Sequence, residues 1–180
     1  MKRTIIILIS LVVLLTSLTG IALSQENIFV LGTAGAGGTF NYVGSAVANF
    51  VSEKLEDVDI RAITTGGSNV NIRLLREGEI DFGLANGLSL YLGYEGEGIW
   101  EGNQQKNLRA VTRTHAAAVH YVVAEDSGIE TFEDLIGKEG NTDVVGGTTR
   151  LIHADVCKYA GVDNDRIPEM NVNYVQALDL

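Results

Sequence analysis

"LGTAGAGGTF", residues 31–40, sets four glycines and two threonines directly behind an apolar run. Ile28 to Leu31 reads as a short strand. Beyond the glycines, Phe40, Val43, Val47, Phe50, Val51 and Leu55 recur at three- and four-residue steps, the period of an amphipathic helix. A turn between strand and helix exposes the first amides of the helix, which have no partner inside it and carry partial positive charge. Glycine lets that backbone approach a ligand closely, and threonine hydroxyls add donors, so an anion is held without lysine or arginine. Thr39 is placed to cap the helix. The phosphate loop G-x-x-x-x-G-K-[ST] needs a lysine that does not follow Gly37 or Gly38, and G-x-G-x-x-G from Gly35 needs glycine where Phe40 stands. A carboxylate is the better candidate than a phosphate.

The same grammar recurs along the chain. "VDIRAIT", residues 58–64, reads as a second strand. It leads into the turn "TTGGSN" and a helix containing Val70, Leu74 and Leu75, with Ser68 as its cap and Gly78 as its stop. "IDFGLAN", residues 80–86, reads as a third strand, and Leu88 to Tyr94 as a short helix before a loop rich in Gly, Glu and Asn. "LRAVTR", residues 108–113, and "VHYVVAE", residues 119–125, read as two further strands. Thr131 opens the capping-box pattern "TFED", with Gly137 ending its helix. "TDVVGGTTR", residues 142–150, runs from a strand into a helix bearing Leu151, Ile152, Val156 and Tyr159, which ends at Gly161. "MNVNYV", residues 170–175, reads as a last strand, and "QALDL" as the first turn of a helix. Alternating strands and helices imply an α/β fold with a largely parallel sheet. Ligands of such sheets sit at the carboxyl ends of the strands, where all three glycine turns fall.

With 180 residues, 46% hydrophobic and 20% charged, the chain suits a globular protein of one domain or two small ones. Its net charge of −10 argues against nucleic acid and against anionic lipid. Lys2 and Arg3, the apolar run 4–18 and the small-x-small site Ala22-Leu23-Ser24 read as a cleaved signal peptide over residues 1–24. After cleavage no membrane insertion is expected. Cys157 is the single cysteine, so no internal disulfide forms, and it reads as a buried small hydrophobe. His115, His120 and His153 lack metal-ligand spacing, and no metal or cofactor is expected. Neither Ser68, Ser89 nor Ser127 has a nearby His–Asp pattern. The residues thus favour a binding protein with no catalytic residues. An exported enzyme acting on organic acids, using Glu95, Glu97 and Glu101, is the weaker alternative, and a ligand sensor feeding a signalling partner is a second.

In order, the export signal, "LGTAGAGGTFNYVGSAVANFV", "TTGGSNVNIRLLREGEIDFGLAN", "LRAVTR", "VHYVVAEDSGIETFEDLIGK" and "VVGGTTR" followed by "KYAGV" resemble the TAXI family. These are the extracytoplasmic solute receptors of tripartite ATP-independent periplasmic (TRAP) transporters. The resemblance implies a two-lobed, type II periplasmic-binding-protein-like α/β fold. Residues 25–119 would make lobe one, and 120–180 would begin a lobe two that is incomplete in this chain. It implies a small organic anion, such as glutamate or another carboxylate, bound between the lobes and delivered to membrane permease subunits. By position, Gly37, Gly38, Thr39 and Asn41 match the first binding loop, and Thr65, Gly66, Gly67 and Ser68 the second. Asn86 stands at the end of the third strand, and Gly147, Thr148 and Thr149 match the lobe-two loop. Where the family often has a Tyr pair, a Gln-x-Asp and a Tyr-Pro-Glu, this chain has Phe40-Asn41, Asn86-Gly87-Leu88 and His115-Ala116-Ala117. Family members also run well past "QALDL", so residues 1–180 alone are expected to fold poorly.

Overall fold

A computed structural model describes residues 27–177 and Asp179. The expected signal peptide, residues 1–24, lies outside them. The first half is a parallel three-stranded sheet of β1 (Asn27–Gly32), β2 (Val58–Ile63) and β3 (Phe82–Gly83), in the order β2–β1–β3. Helix α1 (Thr39–Lys54) joins β1 to β2, and α2 (Ser68–Glu77) joins β2 to β3. Parallel pairing with helical crossovers brings the carboxyl ends of all three strands to one edge. Helix α3 (Gly87–Glu95) leaves from that edge. In the second half β4 (Gly140–Asn141) pairs in parallel with β5 (Glu169–Met170), and α4 (Thr149–Ala160) connects them. A short helix, α5 (Tyr174–Ala177), follows. The architecture is the expected α/β one.

Helix α1 meets the sheet through its smallest residues. Gly44 and Ala48 are buried, whereas Val47, Phe50 and Leu55 of the expected apolar stripe are exposed. A Cβ on Gly44 would collide with Thr33 Cγ2 and press on Leu84 Cδ1. The sheet therefore selects the glycine face of the helix, because only that face lets the axis come close enough. The core of the first half is small: Leu31, Ala48, Ile72, Ile80 and Trp100. Around it lie buried polar residues, of which Asn71 is the central one. Its Nδ2 donates to Thr33 O and Leu84 O, both at 2.7 Å, and to Gly32 O at 3.1 Å. Its Oδ1 accepts from Thr65 Oγ1 at 2.7 Å. One amide thus ties the end of β1, the segment after β3 and the second glycine turn together. The second half has its own core of Cys157, Val162 and Ile167, flanked by Phe132, Leu135, Ile136 and Ala160. Cys157 is the buried hydrophobe expected of it.

Several local expectations are corrected. Residues 108–124 form no strand: among the described residues their backbone joins no ladder. Strand propensity in "LRAVTR" and "VHYVVAE" reflects side chains that suit a pleated surface, and a ladder forms only beside a partner strand. "MNVNYV" contributes only Met170 to β5, and Tyr174 and Val175 turn into α5. After Thr131 there is a single 3-10 turn, Glu133–Leu135. Half of the capping box still forms there, since the Asp134 carboxylate accepts from Thr131 N, Thr131 Oγ1 and Glu130 N. Those bonds, the Thr131 hydroxyl first, hold the Asp134 carboxyl below the usual carboxylate range. Thr39 and Ser68 are the first residues of their helices rather than the caps. Gly38 and Gly67 take the cap positions, and neither helix has a side-chain cap. The stops at Gly78 and Gly161 are as expected, both left-handed.

Candidate functional site

The three glycine turns converge. Each delivers a helix start to the same place: Gly38 before α1, Gly67 before α2 and Thr148 before α4. Gly67 sits at φ 87°, a conformation that side chains disfavour. At Gly37, φ is 82° and a Cβ would lie 2.6 Å from Val175 Cγ2. Between the turns lies a cleft of about 410 Å³. Of the residues expected at the site, Gly38, Thr39, Gly67, Ser68, Asn86, Gly147, Thr148 and Thr149 line it. Gly37, Asn41, Thr65 and Gly66 do not, and they shape the turns from behind. Asn41 Nδ2 donates to Thr33 Oγ1 at 3.3 Å and to Thr64 Oγ1 at 3.4 Å. Thr65 Oγ1 accepts from Gly67 N at 3.1 Å.

Contacts between the two halves close the back of the cleft. Asn69 N donates to Gly146 O at 3.1 Å, and Asn69 Nδ2 to Gly147 O at 3.3 Å. Trp100 Nε1 donates to Asn69 Oδ1 and so fixes the amide's orientation. The buried hydroxyls of Ser89 and Thr148 meet at 2.8 Å. Gly66 faces the second half directly, for a Cβ there would lie 2.9 Å from Val145 O.

Several expected donors are therefore engaged. The Thr148 hydroxyl belongs to Ser89. Ser68 Oγ accepts from Asn86 N at 3.0 Å and keeps only its own proton to offer. Asn86 Oδ1 caps α3 by accepting from Leu88 N at 2.9 Å. Thr39, the exposed first residue of α1, also lines the cleft.

No lysine or arginine lines the cleft. Arg150, beside the third turn, turns to Glu169 instead, Nε to Oε2 at 2.9 Å. That approach lacks hydrogen-bond geometry and is a contact of charges rather than a directed bond. The lining also includes residues that the sequence reading did not place there: Ala34, Gly35, Phe40, Ala117 to His120, Asn141, Asp143, Ile152 and Tyr174. His120, which has no metal-ligand spacing in the sequence, thus faces the cleft. Burial pushes the Tyr174 phenol up; a hydrogen bond with Thr149 opposes this, and the Asp143 carboxylate adds to it both by its charge and by accepting a hydrogen bond from the phenol. Asp143 had one local signal, an Asp just before a glycine turn, a residue type that tolerates left-handed backbone. Nothing local marks Tyr174, which arrives from beyond β5.

Behind the cleft, Tyr121 Oη and His153 Nδ1 lie 3.1 Å apart, and Cys157 Sγ approaches the same ring. Burial lowers the His153 pKa, against an opposing pull from Glu169. Among the described residues no group of three His, Cys, Asp or Glu side chains is arranged to hold a metal.

Residues 31–180 match the profile of the NMT1-like family. The chain belongs to that family. Among solved structures it is similar to the alkanesulfonate-binding protein SsuA from Xanthomonas axonopodis pv. citri bound to MOPS, with a TM-score of 0.52 at 16% identity. The match covers 86% of this chain and 50% of that one, so the chain spans about half the length of this relative. The fold is thus the periplasmic-binding-protein-like α/β fold that the sequence implied.

Proposed function

We propose that this member of the NMT1-like family is an extracytoplasmic solute-binding receptor rather than an enzyme. It captures a small organic anion in the cleft and hands it to a membrane transporter. The observation that carries this reading is the convergence of three helix starts, each led by glycine or threonine, on one cleft lined by neither lysine nor arginine. Such amides bind an acid group by dipole and hydrogen bond. In finer terms we assign the chain to the TAXI receptors of TRAP permeases, with glutamate or a related carboxylate as ligand and residues 25–119 and 120–180 as parts of two lobes. The ordered motifs of the sequence support that assignment. Lobe one binds first, and the α4 turn closes over the ligand.

The neighbour's description as an alkanesulfonate-binding protein makes a sulfonate the second acid group to try. A thermal-shift screen of carboxylates and sulfonates against the purified protein tests the proposal. Saturable stabilisation by a member of either class is expected. Indifference to every acid in the screen rules the receptor reading out.

A further inference from the structure

Asp143 has no part in holding an anion, and it stands inside the cleft. It is the one carboxylate among the lining residues. It is also the one non-glycine residue with positive φ among the described residues, at 71°. Side chains other than Asn, Asp and His are rare in that conformation, and such a backbone persists only where surrounding structure holds it. The position is enclosed from both halves. Asp143 Oδ1 lies 4.0 Å from where a Cβ on Gly35 would sit, and Oδ2 lies 3.8 Å from where one on Gly147 would sit. The carboxylate thus lies between the first and third glycine turns, with Tyr174 alongside. Its Oδ1 is covered and meets no donor, while the carboxylate as a whole accepts one hydrogen bond, from the Tyr174 hydroxyl. A covered carboxylate oxygen without a donor is costly, and it repels a second anion placed beside it. Both penalties vanish when the ligand itself brings a cation.

We propose that Asp143 makes the cleft selective for a zwitterion, a ligand carrying a protonated amine next to its acid group. This rests on the reading of the cleft as a solute site. The helix-start amides take the acid, and the Asp143 carboxylate accepts from the ammonium. A purely anionic ligand gains the first contact and is penalised by the second.

The test is calorimetric titration of the purified full-length protein with matched pairs: each common α-amino acid against its amine-free carboxylate, and 2-aminoethanesulfonate against ethanesulfonate. At least one amine-bearing member should bind about tenfold or more tighter than its partner, the size of one charge-assisted bond. In Asp143→Asn that ratio should fall to about threefold or less, with affinity for the amine-free partner kept or improved. Asp143→Gly, which relieves the backbone, serves if the first variant does not fold. If amine-free acids bind wild type as well as or better than their partners, or if the ratio survives in the variants, the role of Asp143 is refuted and the receptor stands. If no acid of either kind binds, the receptor reading fails, and this inference with it.

Discussion

Asn71 offers the sharpest test of how the cleft is held open to a ligand. Its side chain is fully buried and bonds three carbonyls and one hydroxyl. Two amide protons serve three acceptors, so the two 2.7 Å bonds count fully and the 3.1 Å contact with Gly32 O is shared. Adding the bond from Thr65 gives three bonds, at about 1 kcal/mol each. Asn71→Ala loses these and leaves a small cavity worth about 1 kcal/mol more. The expected destabilisation is about 4 kcal/mol, a large part of the stability of an ordinary domain. In urea, with a slope of about 2 kcal/mol per molar, the unfolding midpoint should fall by about 2 M. Asn71→Leu separates the causes. It refills the volume but leaves the carbonyls unpaired, so it should be nearly as damaging. If Asn71→Leu lies within about 1 kcal/mol of wild type, the polar network is not what holds the turns, and the reasoning fails.

Three further outcomes follow from the same geometry. Gly66→Ala sets a methyl against Val145 O, and overpacking of about 1–3 kcal/mol on the closed form should weaken ligand binding by roughly 5- to 150-fold; unchanged affinity in titration calorimetry contradicts this. The Ser89–Thr148 hydroxyl pair should show a coupling of about 1 kcal/mol in a double-mutant cycle read by chemical unfolding, where simple additivity would deny the contact between the halves. Burial lowers the His153 pKa below that of the unfolded chain, so below the usual histidine value of about 6.5 the unfolded state binds more protons. Stability should therefore fall as pH drops below that value, by at most about 1.4 kcal/mol per unit, and His153→Gln should remove that part of the slope. A slope identical in the variant refutes the assignment.

The reach of the sequence is clear from particular residues. The unit from β1 through α2 was legible because apolar runs, helical periodicity and glycine stops agreed there, down to Gly78. The convergence of the three turns followed from the parallel topology that this alternation implies. What escaped was decided by contacts distant in sequence. Thr39 and Ser68 looked like caps, but the preceding glycines took that role, and Ser68 was drawn to the amide of Asn86. The segments 108–113 and 119–125 carried strand propensity, and the second of them gives Val119 and His120 to the cleft without forming a ladder. Asp143 and Tyr174 meet only because β4 and β5 pair, which no local pattern announces. The exposed stripe on α1 shows the converse. Large apolar residues at helical spacing marked the helix correctly, but the close approach at Gly44 chose which face is buried.

The most direct measurement is amide mapping by NMR. The ¹⁵N-labelled protein would be titrated with the amine-bearing acid that stabilises it most in the thermal-shift screen. The account predicts that the largest shifts fall on the amides of Thr39, Ser68 and Thr149, together with the Asp143 turn. Shifts centred instead on the outer groove of Arg73, Ile99 and Trp100, or none with any acid, would contradict it.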